Sequence, residues 1–231
     1  MDFGLEYNEG ESVDLNSSRE HPMKILRFQA LFVFFSAMAV ISGKTPAQAE
    51  SREFTPQEQQ LLDSGKLVKR EVSRQRGSQH FFGGTSWQVI NANPDQVWKV
   101  INDERTYGRL FPHVVKVKLL SRQGDTRTVY MEHASGPFHV SYALKGHSDN
   151  KRRDLTFELD NSRSWDIESA WGFFTVRPYG NGKSILAYGV MLDIGPGLLR
   201  GLLREKIRGS MLHIPRDVRK YIQKRYPPQT A

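Results

Sequence analysis

The chain is 231 residues long, 38% hydrophobic and 25% charged, with a formal net charge of +8. This is a globular composition with a basic tilt, which favours acidic partners such as nucleic acid, anionic lipid surfaces or acidic proteins. It contains no cysteine, which excludes disulfides, zinc–thiolate sites, iron–sulfur clusters, cysteine nucleophiles and a lipobox anchor.

The first element in chain order is a leader. Lys24 and Arg27 form a short basic segment after Met23, and Phe28 to Gly43 is an apolar run. Ala47-Gln48-Ala49 then presents small residues at the spacing a signal peptidase reads, with cleavage expected between Ala49 and Glu50. The expected location is therefore bacterial periplasm or secreted. The alternative is an N-terminal membrane anchor, for which the apolar run is short against the ~20 residues a bilayer requires. Residues 1–22 carry Asp2, Glu6, Glu9, Glu11, Asp14 and Glu20, the wrong charge for a signal peptide. They read as an upstream extension that is not native, and residues 23–49 as the signal peptide.

Residues 50–80 read as a helix and a basic arm. Thr55-Pro56-Gln57-Glu58 is a capping box with proline at the first helical position, and Gly65 should stop that helix. Lys66 to Arg76 is strongly basic and alternates weakly through Leu67, Val68 and Val72, as an edge strand or an exposed arm. Gly77, Gly83 and Gly84 are turn or bulge signals. Thr85 to Ala92 reads as a strand. Asn93 then caps a helix with Pro94 in its first turn and Val97, Trp98, Val100 and Ile101 on its buried side.

Six strands follow. Val115, Val117 and Leu119 alternate with lysines, and Val129 and Met131 alternate with Thr128, Tyr130 and Glu132. Phe138, Val140, Tyr142 and Leu144 form the third, and Leu155, Phe157 and Leu159 the fourth. Ile167 to Val176 is an aromatic strand broken by Gly172, and Ser184 to Ile194 follows the Gly180-Asn181-Gly182 turn. Period-two alternation at this spacing predicts an antiparallel meander.

Gly195-Pro196-Gly197 reads as a hinge before the longest helical pattern. Leu199, Leu203, Ile207, Met211, Ile214, Val218 and Ile222 recur at steps of three or four, which predicts one helix over Leu198 to Tyr226. Its other side is basic, with Arg200, Arg204, Arg216, Lys220 and Lys224. Pro215 should kink it. Strands ending in one long amphipathic helix predict an α+β fold, a sheet wrapped around that helix.

The segment Val89-Ile90-Asn91-Ala92-Asn93-Pro94-Asp95-Gln96-Val97-Trp98 resembles the first strand of the START-like helix-grip (SRPBCC) superfamily running into its "V-W" helix. Asp103 to Pro112 resembles its "D-x-x-x-Y-x-x-F-x-P" stretch, with Leu110 as a small departure. The branch it resembles is the polyketide cyclase / coenzyme Q-binding START type, over roughly Phe81 to Gln223. The resemblance implies a helix-grip domain over residues 81–226, with 227–231 as a tail. It also implies an apolar or aromatic ligand held between sheet and helix.

The residues that parity turns inward are Val129, Met131, Phe138, Val140, Tyr142, Trp171 and Phe173, facing Leu203, Ile207 and Met211. Aromatics and methionine make an adaptable apolar lining, although a filled core has the same pattern. Tyr142 and Trp171 would orient a ligand. His133 shares the inward parity, so His133 and Tyr142 are the candidate acid–base groups. His213 stands on the C-terminal helix. Asp166 and Glu168, two apart, could form a carboxylate pair on a strand face. The histidine spacing makes no metal site, and no H-E-x-x-H, G-x-S-x-G or phosphate-binding loop is present.

These readings lead to a domain that binds or shuttles a lipid, quinone or polyketide-like molecule without cofactor. The alternatives are a cyclase or dehydratase using His133 or Tyr142, and a structural adaptor with a packed interior. Lys66, Lys69, Arg70, Arg74 and Arg76, with the basic helix face, are expected to meet anionic lipid. Nucleic acid is not an expected partner of an exported protein without an RNA-binding motif.

Overall fold

A computed structural model describes residues 53–136, 138–195, 207 and 209–227. The leader, its Ala49–Glu50 cleavage point, Pro196, Gly197 and Leu203 lie outside the described residues. Everything below belongs to the compact unit Lys44–Ala231.

The local signals at the N-terminal side act as the chemistry of capping predicts. Helix α1 spans Pro56–Asp63. The Thr55 hydroxyl accepts from the Glu58 N–H at 3.2 Å, and Glu58 accepts from the Thr55 N–H at 2.8 Å. The basic segment after it is an edge strand, β1 (Val68–Arg76), paired antiparallel along its length with β2 (Gln79–Ile90). Gly83 and Gly84 are not a turn but stand inside β2. Their φ values are +157° and +144°, and a Cβ on either would strike backbone of the flanking strands. Only glycine lets β2 bend there between two close neighbours.

Helix α2 (Pro94–Ile101) is capped by Asn93 and buries Val97, Trp98, Val100 and Ile101. A 3₁₀ turn (Glu104–Thr106) and a short helix α3 (Tyr107–Leu110) lead to six more strands. These are β3 (Val114–Gln123), β4 (Thr126–Ser135), β5 (Phe138–Asp149), β6 (Asp154–Leu159), β7 (Ser169–Pro178) and β8 (Ser184–Asp193). The eight strands form one antiparallel sheet in the order β1-β2-β8-β7-β6-β5-β4-β3. This is the helix-grip architecture.

The C-terminal helix is not continuous. A helical turn at 209–211 is followed by a break at Leu212 and His213, and helix α4 runs Ile214–Arg225. Pro215 does not kink a helix interior. It sits in the first turn of α4, where its missing N–H has no partner to lose. Ile214, Val218 and Ile222 of the predicted stripe are buried, whereas at the break Leu212, off that stripe, is buried and Met211 only partly.

The sheet is apolar on its inner face and, around β2, β7 and β8, on its outer face as well. On the outer face, α1 covers Trp87, Val89, Phe173 and Ala187 through Leu62. Arg70 fixes α1 there: it donates to both Glu58 oxygens at 2.7 and 2.8 Å. Its guanidinium also lies 5.1 Å from the centre of the Trp87 ring. On the inner face, α4 packs over β2 and β8, α2 over β7 and β8, and α3 over β3. Their contacts bury Ile90, Val97, Ile101, Leu110, Leu186 and Val218.

Candidate functional site

Between the inner face of β4–β8, α3 and the residues around Met211 lies a cavity of about 450 Å³. That volume is in the range of small-molecule sites. Strand alternation builds its wall. On β4, Val129, Met131 and His133 face in, while Thr128, Tyr130 and Glu132 face out. Val140, Tyr142 and Leu144 continue the wall on β5, and Leu155 and Phe157 on β6. Ile207, Met211 and Ile214 line the opposite side.

Of the residues that parity turned inward, Val129, Met131, Val140, Tyr142, Ile207 and Met211 line this cavity. Phe138 stands in β5, but its side chain is outside the described residues, as is Leu203. Trp171 and Phe173 do not line it. Trp171 is on the outer face, edge to Phe81 with ring centres 4.9 Å apart. Phe173 is 8% exposed and packs beneath α1. The inward residues of β7 are Ala170, Gly172 and Phe174. The register explains the arrangement: Phe157 pairs with Gly172 and Phe173 with Gly189. A Cβ on Gly172 would meet the Phe157 ring at 2.5 Å, and one on Gly189 the Phe173 ring at 2.3 Å. Each ring lies over the glycine directly opposite it.

Sequence reasoning missed Tyr107, Phe111, Phe174, Tyr188 and Arg127 as lining residues. Tyr188 and Val190 alternate on β8, and that parity was the one available signal. Arg127 is 3% exposed. Nη1 donates to Asn102 Oδ1 at 2.6 Å, and Nη2 to Tyr107 Oη at 2.9 Å. Glu104 stands 4.0 Å from Nε. A buried cation is tolerated only when its donors are used in this way.

The two candidate acid–base groups do meet. His133 Nε2 is 2.8 Å from Tyr142 Oη, and His133 Nδ1 is 3.0 Å from the Pro112 carbonyl oxygen. Burial holds the imidazole below its usual range, against the Pro112 hydrogen bond that raises it. Burial also pushes the Tyr142 phenol far up. Both groups are therefore neutral near pH 7. His113 and His139 stand at the cavity rim, and the exposed His139 lies 3.7 Å from Glu132.

Other candidates do not converge. His213 precedes α4 and is held below its usual range by burial and by Arg216 and Lys69. Asp166 and Glu168 precede β7 rather than share a strand face. Asp166 accepts from the Ser141 N–H and hydroxyl at 2.8 and 2.7 Å, and Glu168 packs against Gly195. Among the described residues, no three His, Asp or Glu side chains are grouped to hold a metal. No described helix is long and apolar enough to cross a membrane.

Comparison with known proteins agrees with this geometry. The family profile described as polyketide cyclase / dehydrase and lipid transport matches residues 90–214. No curated protein sequence matches the chain. Among solved structures, the Zhui aromatase/cyclase from Streptomyces sp. R1128 superposes with a TM-score of 0.56 at 15% identity, covering 64% of this chain and 98% of that one. The STAR-related lipid transfer protein from Xanthomonas axonopodis gives 0.52 at 12% identity, covering 67% and 98%. Norcoclaurine synthase from Thalictrum flavum gives 0.50 at 15% identity, covering 70% and 100%. At such identities the likeness is one of fold. The profile match spans more than half the chain, and the chain belongs to the polyketide cyclase / dehydrase and lipid transport family.

Proposed function

We propose that this protein binds and carries a hydrophobic small molecule, of lipid, quinone or polyketide type, in the cavity between its sheet and C-terminal helix. The observation that carries the reading is the hollow itself. Val129, Met131, Val140, Leu144 and Met211 surround it with little polar surface, and an apolar guest there leaves water at low cost. Native mass spectrometry of protein purified without detergent tests it. An adduct that reappears in the organic extract, and is missing from Val140→Arg, is the expected result. Bare protein in both samples opposes it.

A second reading is supported by the His133–Tyr142 hydrogen bond: a cyclase or dehydratase in which the Tyr142 oxygen takes a substrate proton as it passes its own to neutral His133. Turnover that survives His133→Ala combined with Tyr142→Phe removes this reading.

The proposal includes export, with a mature N-terminus at Glu50, which N-terminal sequencing of the secreted or periplasmic protein checks. It also includes contact with anionic membrane through the exposed Arg216, Lys220, Lys224 and Arg225 of α4. Arg70 and Arg219 are excluded from that set. Arg70 is bound to Glu58, and Arg219 donates to the Gly65 carbonyl. Binding to phosphatidylglycerol vesicles that weakens with added salt is expected.

A further inference from the structure

This inference rests on the cavity being a ligand site. The polar groups that face it differ in whether their hydrogen-bonding capacity is already used. The Pro112 carbonyl can only accept, so His133 Nδ1 carries the imidazole proton. The lone pair at Nε2 then requires Tyr142 to donate. Tyr142 has one proton, and it is committed. Tyr107 gives its proton to the Ile101 carbonyl at 3.2 Å, and Arg127 is engaged by Asn102 and Tyr107.

Tyr188 differs from these. It is 3% exposed and lines the cavity. Its hydroxyl has no hydrogen-bond partner among the described residues; only burial and the nearby Tyr142 act on it, and both hold the phenol in its protonated form. The hydroxyl opens onto the cavity rather than being sealed in the wall, so a guest can complete it. Two aromatic neighbours pack against the ring, with the Phe174 ring centre at 4.6 Å and that of Phe157 at 6.3 Å. A rigid ring carrying a free O–H is a preorganised donor.

We propose that Tyr188 is the residue that orients and selects the ligand, and that the ligand is an apolar molecule whose carbonyl oxygen accepts from the Tyr188 hydroxyl. Tyr142, with its proton spent on His133, does not perform this role. A site that offers one buried donor discriminates against analogues lacking the complementary oxygen.

The test uses the full chain and a matched pair of probes, 2-acetylnaphthalene and 2-ethylnaphthalene, which differ in the carbonyl. Affinities are read from naphthalene fluorescence. The ketone is expected to bind about tenfold tighter. Tyr188→Phe should abolish that preference, while Tyr142→Phe keeps it. In the unmodified protein, the infrared carbonyl stretch of bound ketone should fall below its value in alkane, a readout independent of any variant's folding. Equal affinities, a preference that survives in Tyr188→Phe, or an unshifted stretch overturns the assignment of Tyr188 alone. Failure of both probes to bind overturns the cavity reading together with it.

Discussion

Phe173 and Phe174 are neighbours on β7 with opposite surroundings. Phe173 lies over Gly189 and is sealed by Leu62, Trp87 and Ala187 beneath α1. Phe174 stands in the wall of a cavity of about 450 Å³. At β7 both faces of the sheet are apolar, so hydrophobicity there does not distinguish filled from hollow. What differs is the cover. On the outer face α1 sets Leu62 against Trp87, Phe173 and Ala187, and Arg70 holds the helix there. On the inner face the described helices pack chiefly at β2, β7 and β8 and at β3, and the wall of β4 to β6 faces the cavity, with Ile207 and Met211 across it.

The comparison can be broken most severely from the filled side. Phe173→Ala leaves a void where no ligand enters, and should cost about 3–5 kcal/mol in denaturant unfolding while probe binding persists. A comparable cost at Phe173 accompanied by lost binding would mean that the two faces are not independent. The hollow side responds in the opposite way. Val140→Arg and Met211→Arg each place a charge in the cavity and should abolish binding of an apolar probe, because an unpaired charge excludes such a guest. Retention of the probe in both variants refutes the assignment.

Smaller effects sharpen the same contrast. Gly189→Ala pushes a methyl into the Phe173 ring and should destabilise by about 1–3 kcal/mol, again without effect on binding, as thermal unfolding and probe titration together would show. His133 gives a pH signature confined to the cavity. Its folded pKa is held below the ordinary value of 6.5 by burial. Its contribution to stability is therefore complete above that value and is lost as pH falls through the depressed one. Melting temperature should fall more steeply between pH 7 and 5 in the unmodified protein than in His133→Gln, and parallel curves would contradict this. The smallest effect is expected on the outer face at Glu58→Gln. The Arg70 hydrogen bonds hold the Glu58 carboxyl down to about 2. The pair is near the surface and contributes at most about 1 kcal/mol, present above pH 4.5 and lost as pH falls towards 2.

The same two faces explain what could be read from the residues alone. Thr55 and Asn93 were legible as caps because capping is local chemistry. On β4 the alternation of Val129 and Met131 with Thr128, Tyr130 and Glu132 identified the inner face, because the other face is polar. On β7 it could not, because Trp171 and Phe173 on one face are as apolar as Ala170 and Phe174 on the other. Only register, which puts Gly172 under Phe157 and Gly189 under Phe173, decides between them. Pro215 carried two signals, helix kink and helix start. The second prevailed, and an apolar stripe that runs unbroken through Met211, Ile214 and Val218 concealed the break. The free hydroxyl of Tyr188 was not legible at all, since being without a partner is a property of three-dimensional surroundings.

One titration addresses the hollow directly: N-phenyl-1-naphthylamine against the purified protein, followed by fluorescence to saturation. The account predicts one molecule bound per chain, loss of binding in Val140→Arg, and undiminished stoichiometry in Phe173→Ala. No saturable binding to the unmodified protein, or equal binding to Val140→Arg, would contradict it.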